Sequence, residues 1–243
     1  MKIGLIQSRG IGDIVIAAPI AQHYISNGHE VFWPVSDCFF PFVRTAFPTI
    51  NFISLIPDSS GYHSLDHAYN RPLAELQALA CDEIFCLYSN LVAEQGMTFE
   101  GTVDARLANS LKFDEYKYAV ARVPFAKKWE LQITRDRDRE KALFDRLDIR
   151  REYILIHSQG SNFSMDIQPT EEMERDFQII RITEITDNPF DWLGVIESAA
   201  MLFLLDSCFA NLAEQLDIGR QRALFLRSGV RATPVFKNGW EIF

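Results

Sequence analysis

Met1–Ala21 reads MKIGLIQSRGIGDIVIAAPIA, and this stretch decides the fold. Ile3 to Ile6 is a short apolar run of the kind that forms a buried strand. Ser8-Arg9-Gly10-Ile11-Gly12 is a glycine-rich turn, and Asp13 opens an apolar helix that runs to Asn27 and stops at Gly28. A strand, a glycine turn and a helix together make a ligand site at the carboxyl end of a parallel sheet. The acid directly after the second glycine sets this turn apart. A turn built only to hold a pyrophosphate has no use for a negative charge there.

Outward from this unit, strand-like and helix-like runs alternate. Strands are expected at Glu30–Val35, Ile50–Ile56 and Glu83–Tyr88, with a helix at Pro72–Ala80. A helical stretch follows at Asp104–Tyr118, then an extended crossing at Pro124–Ile133 and a charged helix at Asp136–Leu147. The pattern then restarts. Tyr153–His157 is a β-branched strand closing in the polar turn Ser158-Gln159-Gly160-Ser161-Asn162. Phe177–Ile182, Met201–Leu205 and Ala223–Leu226 read as further strands, and Asp191–Ala200 (capped by Asn188 or Asp191) and Phe209–Leu216 as helices. The expectation is an α/β protein of two Rossmann-like parallel-sheet lobes facing a cleft, the second reduced in size. The lobes would span 1–125 and 151–243, with 126–150 as linker and charged helix.

Composition bounds the partners. The chain has 243 residues, 48% of them hydrophobic and 23% charged, so it can bury a proper core. A net charge of -9 disfavours nonspecific nucleic-acid binding. Positive charge is densest from Lys127 to Arg151, but acids interleave there, which reads as a solvated helical surface. No apolar stretch approaches the roughly 20 residues of a membrane span, and nothing resembles a signal peptide. Cys38, Cys81, Cys86 and Cys208 lack metal-site spacing and read as reduced thiols of a cytoplasmic protein.

A nicotinamide dehydrogenase is disfavoured, because G-x-G-x-x-G fails at Val15 and no ribose-binding acid follows Phe32-Trp33-Pro34-Val35. Asp13 has two readings. It can cap free helix N–H groups, a contribution of about 1 kcal/mol, or act as a general base on a hydroxyl entering over Gly10 and Gly12. Leu205-Asp206-Ser207-Cys208, leading into Asn211-Leu212-Ala213, is a strand end turning into a helix, which suits phosphates or a simple cap. The turn at Ser158 strengthens the phosphate reading. Three other patterns carry less. Asp136-Arg137-Asp138 matches a metal-binding D-x-D but lies in the charged helix; His63 and His67 flank Asp66 without a further ligand; and His157, Ser158 and Asp206 lack a nucleophile elbow.

With these constellations in place, the chain resembles the GT-B glycosyltransferases of family 9, the ADP-heptose:lipopolysaccharide heptosyltransferases. The likeness is carried by Gly12-Asp13-Ile14-Val15-Ile16-Ala17-Ala18-Pro19, by Tyr153–Gly160, and by Leu205-Asp206-Ser207-Cys208 with Asn211-Leu212-Ala213. The chain departs at Cys208, where the family has glycine, and at Asn211, where it has histidine. It also lacks a clear basic residue in 161–168, and it is shorter in the second lobe.

The resemblance implies an inverting, metal-independent transferase without a resident cofactor. It would move a sugar from a nucleotide-sugar donor to an acceptor glycan, glycolipid or other hydroxyl compound. Asp13 would be the base, with Ser8, Arg9, Gly10 and Gly12 in the acceptor-side loop. Ser158, Gly160, Ser161, Glu184, Asp206, Ser207 and Asn211 would face the donor, Glu184 at its ribose. Arg9, Arg44 and Arg71 fall in first-lobe loops that an anionic acceptor could reach. The departures leave two alternatives: a degenerate binding or regulatory protein of the same fold, and a nucleotide-sugar epimerase.

Overall fold

The computed structural model describes residues 1–57, 59, 61–89, 104–160, 163–226, 233–237 and 239–243. Contacts divide the chain into two units, Met1–Thr134 and Arg135–Phe243.

In the first unit the order is β1 (Lys2–Ile6), α1 (Ile11–Ser26), β2 (Glu30–Ser36), α2 (Phe40–Ala46), β3 (Asn51–Leu55), α3 (Arg71–Ala78), β4 (Glu83–Cys86), α4 (Ala105–Ser110) and α5 (Phe113–Val120). The sheet runs β3-β2-β1-β4 with every pairing parallel, Ile3 lying opposite Val31 on one side and Glu83 on the other. Ile3, Leu5 and Ile6 are buried, as are all residues of α1 from Ile14 to Ala21. Gly4 is glycine because α3 packs so closely that a Cβ would lie 2.9 Å from Leu76 Cδ1. The Tyr118 hydroxyl, on α5, donates to the Ile16 carbonyl at 2.8 Å and ties α5 to α1. Because β1 sits between β2 and β4, the chain departs from it in one direction and returns on the other side. The carboxyl end of β1 and β4 is therefore the switch point where ligands bind in such sheets.

Two expectations are corrected in this unit. The single helix expected at Asp104–Tyr118 is two, broken where Leu111 and Lys112 are extended. The crossing expected at Pro124–Ile133 winds into a 3-10 helix over Phe125–Glu130. That winding turns Lys128 inward, where it meets Asp114 at 2.7 Å with both side chains fully buried. So the basic stretch that starts at Lys127 is not wholly solvated. Its first buried member braces the core instead.

The second unit runs α6 (Arg137–Arg146), β5 (Tyr153–His157), α7 (Glu171–Asp176), β6 (Gln178–Arg181), α8 (Leu193–Ser198), β7 (Met201–Leu205), α9 (Cys208–Gln215), β8 (Gln221–Phe225) and β9 (Glu241–Ile242). Its sheet order is β6-β5-β7-β8-β9, again wholly parallel. Strand β5 is buried at all five positions, as a central strand covered on both faces must be. Here the switch point lies between β5 and β7. The helix expected from Asp191 starts as a 3-10 turn at Pro189, capped by Asn188, whose side chain accepts from Phe190 N at 3.0 Å. Asp191 instead takes two hydrogen bonds from Arg139 on α6, at 2.9 and 2.8 Å. The D-x-D pair is the start of α6, where Asp136 accepts from Arg139 N at 3.1 Å as an N-cap. Among the described residues no helix is long and apolar enough to cross a membrane.

Candidate functional site

The chain leaves β1 at Gln7 and enters α1 at Ile11. Between them Gly10 has φ +78°, the left-handed region that an L side chain resists. A Cβ there would also sit 2.7 Å from Asp13 Oδ2. Glycine thus serves twice, allowing the turn and leaving room for the carboxylate.

Two amides of this turn are already occupied. Arg9 N donates to the Tyr88 hydroxyl at 3.0 Å, and Gly10 N donates to the Tyr62 hydroxyl at 3.2 Å. Burial pushes the Tyr62 phenol up to about 12 and raises Tyr88 as well, so both stay protonated at neutral pH. A phosphate cradle needs free N–H groups. At Arg9 and Gly10 there are none.

Asp13 is the third residue of α1, in a helix that begins without a side-chain cap, so capping is not its use. Its side chain is 37% exposed, and Oδ1 lies 2.9 Å from Nζ of Lys117, on α5, which is 2% exposed. Lys117 Nζ also donates to Gln7 Oε1 at 2.7 Å and to the Leu87 carbonyl at 3.1 Å. Gln7 in turn donates to the Arg9 carbonyl at 2.9 Å, closing the network onto the turn. A buried ammonium costs several kcal/mol unless it is paired and hydrogen-bonded. Asp13 supplies the one negative charge among the three acceptors. The arrangement is a partly exposed carboxylate fixed at the end of a central strand.

The remaining residues expected in the first unit divide. Ser8 is fully buried, its hydroxyl donating to the His67 carbonyl at 3.0 Å, so it holds the loop from beneath. Arg9 lies over the Tyr88 ring at 5.7 Å, and Gly12 occupies the first turn of α1. Arg44 lies over Phe40, and Arg71 donates to the Ile56 carbonyl at 2.6 Å. His67 is buried against Ser36 Oγ at 2.8 Å while His63 is exposed. Among the described residues no group of three His, Cys, Asp or Glu could hold a metal ion.

In the second unit, the turn after β5 is pinned by Met165 N donating to the Ser158 carbonyl at 3.0 Å and Gly160 N to the Phe163 carbonyl at 2.6 Å. Ser161 lies outside the described residues. Asp206 is buried at the end of β7, and its amide donates to the Phe225 carbonyl at 3.2 Å. Ser207 stands at the N-cap of α9 but makes no side-chain cap bond; its Oγ pairs with His157 Nδ1 at 2.9 Å. The first-turn amides of α9 are therefore left without a side-chain cap, as an anion site requires. Burial drives His157 down to about 4, so it is neutral and contributes no positive charge. Burial likewise pushes the Cys208 thiol up to about 12. Asn211, 3% exposed, donates to the Ser207 carbonyl at 2.8 Å, and its Oδ1 has no partner among the described residues. Glu184 is exposed in the turn after β6, apart from this cluster in the chain's path.

Sequence reasoning missed Lys117, Gln7, Tyr62, Tyr88 and the pairing of His157 with Ser207. Tyr88 could have been found, because it follows the strand that pairs with β1.

No protein-family model and no curated protein matches the chain. Solved structures do. A glycosyl transferase of family 9 from Veillonella parvula DSM 2008 superposes with a TM-score of 0.67 at 11% identity, covering 100% of this chain and 86% of that one. The two chains share a fold. The E. coli heptosyltransferase WaaC, solved with ADP, gives a TM-score of 0.53 at 12% identity over 100% of this chain and 92% of its own. The bacterial iron-containing dodecameric glycosyltransferase TibC from enterotoxigenic E. coli gives 0.55 at 12% identity, over 99% of this chain and 61% of its own. At these identities the likeness carries the two-sheet α/β architecture, and the chemistry must be argued from this chain's own residues.

Proposed function

We propose that the protein is an inverting glycosyltransferase acting without a metal, with a nucleotide sugar as donor and an alcohol as acceptor. Asp13 Oδ2 takes the proton of the acceptor hydroxyl. The acceptor oxygen forms a bond to the anomeric carbon on the face opposite the leaving group. The bond from that carbon to the donor phosphate breaks, and its electron pair leaves with the nucleoside diphosphate. Ser158, Ser207 and the uncapped amides of α9 receive the phosphate charge. Glu184, exposed in the turn after β6, is the candidate for a contact to the donor ribose.

The observation that carries this reading is the fixed, partly exposed Asp13 carboxylate at the switch point of the first sheet. The negative charge of Asp13 in the first turn of α1 favours a neutral hydroxyl there over a phosphate. Since WaaC was solved with ADP, adenine nucleotide sugars are the first donors to try. All four cysteines are free, which suits a cytoplasmic place of action. The acceptor is a glycan, a glycolipid or another hydroxyl compound.

One observation favours a second reading, a binding protein on this fold. The described donor-side turns, 158–160 and 206–208, carry no cationic side chain, and His157 between them is neutral. Incubation with a panel of nucleotide sugars and candidate acceptors, read as nucleoside diphosphate release and sugar-linked product, separates the two. Product with at least one donor supports the transferase. Thermal stabilisation by a nucleotide sugar without product supports the binding protein.

A further inference from the structure

We infer that Lys117 is the positioning residue of the catalytic carboxylate, holding Oδ1 of Asp13 so that Oδ2 is the oxygen that accepts the proton. The inference rests on the reading of Asp13 as the base. It starts from valence. An ammonium has three N–H donors, and Lys117 Nζ meets three acceptors: Gln7 Oε1 at 2.7 Å, Asp13 Oδ1 at 2.9 Å and the Leu87 carbonyl at 3.1 Å. With every donor directed and 2% exposure, the group has no freedom to swing towards solvent.

Two of the three acceptors belong to the sheet rather than to α1. Leu87 follows β4, and Gln7 follows β1 and is itself tied to the Arg9 carbonyl. Lys117 therefore fixes the Asp13 carboxylate to the frame of the sheet, independently of the first turn of its own helix. The two oxygens become inequivalent. Oδ1 is committed to the ammonium, while Oδ2 stands over Gly10, where a Cβ would fall within 2.7 Å of it. No described residue donates to Oδ2. A positioned general base needs this division, with one oxygen held and the other open towards the incoming hydroxyl. The rings of Phe113 and Tyr88, 5.5 and 6.0 Å from Nζ, close the ammonium off from competing water.

A merely structural ion pair makes different predictions, because replacing such a pair by apolar groups is often neutral to folding. The test uses the full chain with two readouts. In protein labelled with 15N-lysine, Lys117 gives an ammonium signal protected from solvent exchange and absent from Lys117→Met. Asp13→Asn removes the charge that holds it, and exchange accelerates about tenfold or more. With the donor and acceptor identified by the panel, Lys117→Met lowers kcat about thirtyfold with KM for the donor little changed. In the Asp13→Asn background the same substitution changes kcat by less than about threefold, the non-additivity of residues acting as one unit.

Unchanged ammonium exchange in Asp13→Asn overturns the inference, as does a full loss of kcat that persists in that background. Wild-type kcat in Lys117→Met beside an inactive Asp13→Asn overturns the positioning role and leaves the base reading standing. Wild-type turnover in Asp13→Asn removes the base and this role together. Where Lys117→Met fails to fold, the exchange comparison between wild type and Asp13→Asn still decides.

Discussion

Acidification should destabilise the second unit through one residue, His157. It is 6% exposed, its Nδ1 is hydrogen-bonded with Ser207 Oγ at 2.9 Å, and burial drives it from the usual 6.5 down to about 4. The folded state therefore resists a proton that the unfolded chain takes up readily. With the folded value below the unfolded one, stability from the neutral imidazole is complete above the unfolded value. It falls as pH drops from about 6.5 towards about 4. A separation of that size converts, at 1.36 kcal/mol per unit, to about 3 kcal/mol lost near the bottom of the window and about 2 kcal/mol near pH 5.

Urea denaturation of wild type and His157→Gln across this range isolates the effect, because the other titrating groups cancel in the difference. The advantage of wild type over the variant should shrink by about 3 kcal/mol between pH 7 and pH 4, with most of the slope below the unfolded value. A difference that stays flat across the window would refute the assignment of His157 as a buried neutral side chain.

Two further substitutions probe the first unit. Gly10→Ala places a side chain at φ +78° and a Cβ 2.7 Å from Asp13 Oδ2; it should cost about 1–2 kcal/mol in urea denaturation and lower turnover about tenfold or more. Turnover equal to wild type would show that the carboxylate does not need that space. Lys128→Met removes the cation 2.7 Å from the fully buried Asp114 and should cost about 3–5 kcal/mol, most of it recovered in Lys128→Met/Asp114→Leu. A cost under about 1 kcal/mol in the single variant would show that this pair does not brace the core.

How much of this was legible in the sequence follows from range. β1, its turn and α1 are local structures, coded by an apolar run, two glycines and a second apolar run within Lys2–Ser26. β7 matches its expected bounds, Met201–Leu205, because a buried central strand is written as an unbroken apolar run. Lys117 was not legible. It lies in Phe113–Val120, FDEYKYAV, where nothing local separates a buried ammonium from a solvated one, and it meets Gln7 from 110 residues away. Lys128 was hidden in the same way within a basic stretch. The pairing of His157 with Ser207 depends on β5 and β7 being neighbours, a fact of sheet order that periodicity does not carry. Asp13 itself stands out by its place after the second glycine, but the ion pair with Lys117 that fixes it is not written in the local sequence.

The central claim is that Asp13 takes the proton of an acceptor hydroxyl, and one measurement tests it most directly. Turnover of wild type and Asp13→Asn is compared with the donor and acceptor found by the panel, folding of the variant being checked by its melting profile. The account predicts a fall in kcat of about a hundredfold or more, with a melting transition close to that of wild type. Undiminished turnover in a folded Asp13→Asn would contradict it.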